Sequence, residues 1–375
     1  LLGGAAFTLT ETTNDMDGLA AATTGAVSFT DTDGLTIGSY GTSTGIGTGG
    51  AALTLTAGAA LSINQAVSAG TTQLTAVGIS LASGITVDAG PSTILLDGND
   101  GNIALSDGTL TTTSNGSPAI TIRDAAAVTL GNITTGGAGT LALGIASPNH
   151  ISGALSQTAS TALSVGTVTC VTGGTITLNE AGNAIGTVGS VTRGDAVTIT
   201  DGTDAMTVSG PVNLGTTTNA VAFSAAGLLT ISGTAAITAT TGAGSVSLSG
   251  VGVTNSGATV SGASGVTIAA GTGTFTNTGT VSSTNSLISI TADDMALTGG
   301  TINSGTGGVN LIPATATRVI DIGTDTAGRL ALTDTELDTI TVTDPGVLTI
   351  GLITHNGQII ISAAAGPATA PNAAP

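Results

Sequence analysis

The sequence has 375 residues, 59 of them Gly, with 40% apolar and only 7% charged residues; this excludes an acidic, solvating disordered chain and suits repeated tight turns. Four basic residues, all Arg, stand against 22 acidic ones for a net charge of −18, which excludes nucleic acid and anionic membrane surfaces as partners and leaves divalent cations as the favoured class. Cys170 is alone, so no intrachain disulfide forms, and its shared parity with Val168 puts the thiol inside.

The chain opens on Leu1-Leu-Gly-Gly without an initiator Met or a basic leader, and reads as a mature or trimmed piece. No run approaches the ~18 apolar residues of a membrane span, so no membrane insertion is expected. From Ala26 to Asp107 short apolar-polar-apolar signals recur: Val27-Ser-Phe29, Leu35-Thr-Ile37, Leu53-Thr-Leu55, Leu61-Ser-Ile63, Ile79-Ser-Leu81, Ile85-Thr-Val87 and Ile103-Ala-Leu105. Each is bounded by Gly, Asn, Asp or Ser, the pattern of a strand that ends in a turn. Their spacing is loose, so turn length varies here. Ile120-Thr-Ile122, Leu141-Ala-Leu143 and Leu163-Ser-Val165 then follow at steps of 21 and 22, and Ile176-Thr-Leu178 and Val197-Thr-Ile199 at 21.

Regularity is greatest from Gly244 to Pro313. A first column holds Val246, Val266, Ile288 and Val309 at steps of 20, 22 and 21 residues; a second holds Val253, Phe275 and Leu297, and a third Val260, Val281 and Ile302. Leu330-Ala-Leu332 extends the first column by a further 21. Three strands per turn and one turn per ~21 residues is the signature of a solenoid. Side chains alternate faces along a strand, so the first column points inward and Ser247, Thr267, Ser289 and Asn310 point to solvent. The spacing predicts an all-β, parallel β-helix over residues 1–362, continuous and of ~18 turns, with an Ala/Pro-rich tail or linker at 363–375.

Gly174-Thr-Ile-Thr-Leu-Asn-Glu-Ala-Gly-Asn-Ala-Ile-Gly-Thr-Val and Ile288-Ser-Ile-Thr-Ala-Asp-Asp-Met-Ala-Leu-Thr-Gly-Gly-Thr-Ile-Asn-Ser-Gly-Thr-Gly-Gly-Val-Asn-Leu resemble repeats of filamentous-haemagglutinin-type exoproteins. Arg318-Val-Ile-Asp-Ile-Gly-Thr-Asp-Thr-Ala-Gly-Arg-Leu-Ala-Leu-Thr-Asp-Thr-Glu-Leu-Asp-Thr-Ile is similar to a segment of very large bacterial surface proteins of that group. The likeness covers the whole chain in texture and about 170–345 in detail. It implies a right-handed β-helix, export across a bacterial outer membrane, an extracellular or cell-surface location, and a role in adhesion or surface fibres. That family's N-terminal secretion domain and a C-terminal membrane barrel are not visible in the sequence.

Few motifs point to chemistry. Gly41-Thr-Ser43-Thr-Gly45 fits a nucleophile elbow and Gly45-Ile-Gly47-Thr-Gly-Gly50 a dinucleotide fingerprint, but neither has the strand-to-helix context those motifs require. His150 and His355 stand apart, basic residues are sparse, and the five aromatics mostly take inward parity, so an enzymatic reading finds no legible cleft and no cofactor is expected. The Asp-rich turns at Asp15, Asp17, Asp31, Asp33, Asp97 and Asp100 could supply hard oxygen ligands to Ca²⁺, although none completes a recognised loop and Asx turns explain them better. Arg193-Gly194-Asp195 spells an adhesion tripeptide at a turn before the Val197 strand, or a corner that happens to read so. Asn115-Gly-Ser and Asn132-Ile-Thr are glycosylation sequons in pattern only.

The leading expectation is a non-enzymatic extracellular β-solenoid acting as surface fibre, filament subunit or adhesin stalk, with self-association end to end or laterally and a host or abiotic surface as further partner. The alternatives are a ligand-binding solenoid for ice or a polysaccharide surface, using outward Thr such as Thr54, Thr56, Thr198 and Thr200, and a polysaccharide-acting enzyme.

Overall fold

Strands of two to five residues with aliphatic ends and a polar centre cannot bury a face alone; stacked in parallel, each hides its apolar ends against the turn before and the turn after. That arrangement is present throughout the computed structural model, which describes residues 1–192, 194–214, 219–240 and 242–365. The fold is a parallel β-solenoid of about 14 turns with about 22 residues per turn and almost no helix. The chain divides into two compact units, residues 1–186 and 187–375.

In the first unit three columns of strands stack in register. One runs from Phe7–Leu9 through Val27–Asp31, Leu53–Ala57, Thr72–Ala76 and Ile94–Asp97 to Ile120–Arg123 and Thr140–Leu143. A second includes Leu35–Ile37, Leu61–Ile63, Ile79–Leu81 and Val128–Leu130, and a third Ala21–Thr23, Ile46–Gly47, Val67–Ser68 and Thr109–Thr111. The loose spacing has a simple cause. Val27 pairs with Leu53, 26 residues on, and Leu53 with Thr72, only 19 on. The extra length of the longer turn includes a corner hairpin, Ser39–Tyr40 against Ser43–Thr44, which leaves the core columns aligned. The regular steps at 120, 141 and 163 therefore mislead in part: Ile120 does face Leu141, but Leu141 faces Val168, and Leu163 belongs to another column opposite Ile133.

In the second unit the first column stands as read, Val246 to Val266 to Ile288 to Val309, with all four side chains at 0–1% exposure. The third column, Val260, Val281 and Ile302, also stands and continues to Ile340. Two expectations are corrected. Phe275 faces Met295 and not Leu297, because the paired strands Val266–Asn277 and Ile288–Ala296 shift register at Gly271, which shortens one side of that turn. Leu330 does not extend the first column. Leu348 takes that place opposite Val309, and Leu330–Thr333 lies instead in a separate three-stranded parallel sheet with Ile320–Gly323 and Ile359–Ile361. A single helical turn, Asp334–Leu337, breaks the pattern there, closed by the Thr333/Glu336 capping box.

Inside, the core is aliphatic, with Phe223 and Phe275 the largest fully buried side chains. Within the predicted tail, residues 363–365 carry no strand, and the remainder lies outside the described residues.

Candidate functional site

The columns place polar residues at three kinds of position: inside the corners, along the outer faces, and on the outermost turns. Inside the corners a set of polar side chains does structural work. Asn255 Nδ2 donates to Asn277 Oδ1 at 2.9 Å, and each Oδ1 also accepts a nearby backbone N–H, from Ala258 and Gly279. The stack forms where Val253-x-Asn255 pairs with Phe275-x-Asn277, and both amides are buried. Gly279 leaves room for it, since a Cβ there would lie 2.8 Å from Asn255 Nδ2. One position along, the buried Glu336 carboxylate accepts from Leu297 N–H and Thr333 N–H. In the first unit Gln157 and Asn183 exchange a reciprocal pair of amide hydrogen bonds at 2.8 and 3.0 Å. Sequence reading missed this set, although Asn recurring 22 residues apart, two places after an inward apolar residue, is a legible signal.

The acidic turns gather as the columns stack. Asp31 is buried, and its carboxylate accepts from Met16 N–H and Asp33 N–H, so it caps its own turn and ties it to the one before. Asp33 is held above the ordinary carboxylate range by its hydrogen bond with Asp31, then by desolvation and the charges of Asp15, Asp31 and Asp17. Asp97 is neutralised by Arg123 at 2.9 Å. Asp100 occupies a left-handed turn position at φ 64°, and burial together with Asp100 and Asp97 raises the neighbouring Asp124. Among the described residues no group of three or more His, Cys, Asp or Glu side chains is arranged to hold a metal ion.

Of the adhesion tripeptide, Arg193 lies outside the described residues, Gly194 is buried, and Asp195 is half-buried with its carboxylate accepting from Asn219. The two histidines stay apart. His150 Nδ1 lies 3.0 Å from Pro148 O, while His355 lines a cavity of about 280 Å³ with both ring nitrogens buried and no protein partner. Cys170 is fully buried, which pushes its thiol up to about 12.

On the outer faces, the Thr positions considered first do not form unbroken rows. Thr54 and Thr56 are followed by Gln73 and Thr75, then by Leu95 and Asp97. Thr198 and Thr200 are followed by Ala222 and Ser224.

Strands at the two ends of the chain pair on one side only: Leu2–Gly3, Phe7–Leu9 and Gly18–Leu19, and likewise Ile340–Thr341, Leu348–Ile350 and Ile359–Ile361. Exposed apolar residues concentrate beside them, with Leu2 at 63%, Val347 at 62% and Ile361 at 76% exposure. A cavity of about 370 Å³ opens at the first turn, lined by Leu1, Leu9, Asp15, Met16, Phe29 and Tyr40 among others.

These features define a repeat protein, a parallel β-solenoid whose buried Asn, Gln and Glu pairs tie one turn to the next. Compared with known protein families, curated proteins and solved structures, the chain matches none.

Proposed function

We propose that this chain is a non-enzymatic structural segment of an extracellular bacterial surface fibre or adhesin stalk, of the filamentous-haemagglutinin type that its repeats resemble. The observation that carries the reading is the set of one-sided strands on the outermost turns. A strand inside the stack has its N–H and C=O groups met by neighbours above and below; an outermost strand leaves one row unmet, which is a template for another strand. The first turn offers three such strands and the C-terminal end of the main stack two, Ile340–Thr341 and Leu348–Ile350, so a second copy stacked end to end finds open strand edges at either end.

Two further features support a scaffold over an enzyme. The buried carboxylates and amides are satisfied by hydrogen bonds within the wall, and the interior columns are aliphatic side chains packed against one another. Both extend a structure by repetition.

Association is opposed by the net charge of −18, so it strengthens with salt, which screens charge over roughly 10 Å at 0.1 M, and with divalent cations. Sedimentation and electron microscopy of the purified chain across a salt and Ca²⁺ series test this. End-to-end filaments that lengthen with ionic strength are expected. Chains that stay single under all conditions overturn self-association and favour one segment of a longer stalk.

A further inference from the structure

One corner of the first unit holds an Asn-Gly pair whose surroundings suit a reaction of the chain with itself. Asn115 and Gly116 lie in the connection between Thr109–Thr111 and Ile120–Arg123, and Asn115 is exposed. The backbone on either side is pinned to the next turn: Ser114 O accepts from Gly136 N–H and Gly116 O from Thr140 N–H, both at 3.0 Å. The side-chain amide is held as well, since Asn115 Oδ1 accepts from Ala138 N–H at 3.0 Å. Ser114 Oγ in turn accepts from Gly116 N–H at 3.1 Å.

We infer that Asn115 is a self-modification site, at which the folded chain converts the amide to aspartate and isoaspartate through a cyclic imide with Gly116. Hydroxide removes the Gly116 amide proton, and the nitrogen forms a bond to Asn115 Cγ. Negative charge passes to Oδ1, where Ala138 N–H already donates, and a donor fixed at a developing oxyanion lowers the barrier. The Cγ–Nδ2 bond then breaks, and the nitrogen leaves as ammonia with a proton from water. A further water opens the imide at either carbonyl, giving aspartate or, with the backbone rerouted through the side chain, isoaspartate. Hydroxide and water are the only co-reactants. Ser114 is a positioning residue: its hydroxyl accepts from Gly116 N–H in the resting turn and, rotating, donates to the nitrogen once the proton has gone. With both flanks pinned, these groups are ordered before the reaction begins.

Gly116 sets this Asn apart, because no Cβ crowds the attacking nitrogen. The buried Asn183, Asn255 and Asn277 are followed by Ala184, Ser256 and Thr278, and their amides are paired inside the wall. Asn356-Gly357 is the chain's other Asn-Gly pair, but there Gly357 is packed so closely that a Cβ would lie 2.2 Å from Arg318 O. The product keeps the contact between turns, because a carboxylate at this position still accepts from Ala138 N–H, and it adds one negative charge to an exposed corner. This inference does not rest on the fibre reading, since the reaction needs only one folded chain.

The test is peptide mapping by mass spectrometry of the full chain held in mildly alkaline buffer, folded and in denaturant, with isoaspartate assayed by enzymatic methylation. Folded wild type is expected to gain about one dalton at Asn115, with isoaspartate in the same peptide, ahead of Asn356 and with Asn183, Asn255 and Asn277 unchanged. Ser114→Ala is expected to slow conversion about fivefold in the folded chain, the worth of one hydrogen bond, and to leave the rate in denaturant as it was; Ser114→Thr should restore it. Gly116→Ala should slow conversion in both states, and should it misfold, its rate in denaturant carries the comparison. An Asn115 that stays an amide in the folded chain while converting in denaturant overturns the inference. So do faster conversion at Asn356, aspartate formed without isoaspartate, or a folded rate that Ser114→Ala leaves unchanged.

Discussion

Ile288 and Ser289 are adjacent in sequence, yet Ile288 is fully buried between Val266 and Val309 while Ser289 lies between Thr267 and Asn310 on the outer wall. Alternation of side chains along a strand is the whole reason for the difference. Ile288→Asp is expected to cost about 3–5 kcal/mol, through lost aliphatic packing and a charge with no partner between turns. Ser289→Asp is expected to change stability by less than about 0.5 kcal/mol. Denaturant melts of the two variants check this, and similar losses in both would overturn the inward and outward assignment. Cys170 obeys the same parity. Burial raises its thiol to about 12, so a maleimide at about pH 8 should leave the folded chain unmodified and label one thiol per chain after denaturation.

At the scale of the element, buried polar groups decide where turns close. Asn277→Ala removes the acceptor of Asn255 Nδ2 and of Gly279 N–H, and is expected to cost about 1–3 kcal/mol by leaving a buried donor unmet. Asp321 holds the separate C-terminal sheet together. Its carboxylate accepts from Ser362, Thr326 and Arg329, and these, Ser362 foremost, lower its proton affinity below that of an ordinary Asp. A depressed carboxylate binds a proton more readily when unfolded. Its stabilisation is therefore complete above the unfolded value of ~3.9 and is lost as pH falls through the lower folded value. Amide NMR of Ile359–Ile361 from about pH 5 to about pH 2 should show this sheet opening, and Asp321→Asn should remove that pH dependence.

These same elements mark how far the sequence could be read. The first and third columns, at 246–309 and 260–302, were legible because apolar-polar-apolar triplets at a constant step have one parallel solution. Met295 was hidden because a register shift at Gly271 changes which residue falls in the column, and nothing in the periodicity announces such a shift. Leu330 kept the step of 21 from Val309 and still lies elsewhere, since a period records spacing but not which neighbour a strand chooses. The Asn255 and Asn277 stack was present in the spacing but obscured by treating polar residues as outward by default.

For the whole molecule, stability and shape should follow turns and not residues. Each turn contacts chiefly the turns on either side, so the second unit should tolerate loss of one complete turn and resist loss of part of one. Val246 pairs with Val266, so deleting residues 246–265 removes one strand from each of the three columns. Val221 then meets Val266, Leu229 meets Phe275 and Ile237 meets Val281, apolar against apolar in every column. Asn277 would lose Asn255 as its partner, so a modest drop in stability is expected beyond the lost turn itself. Deleting only residues 246–255 removes two strands and leaves the third, which carries every later strand into the wrong column and sets corner residues against the core. The first deletion should keep the β spectrum in circular dichroism and a cooperative thermal transition at a lower midpoint; the second should lose the cooperative transition. If the half-turn deletion unfolds as cooperatively as the full-turn deletion, the columns are not what holds this unit together.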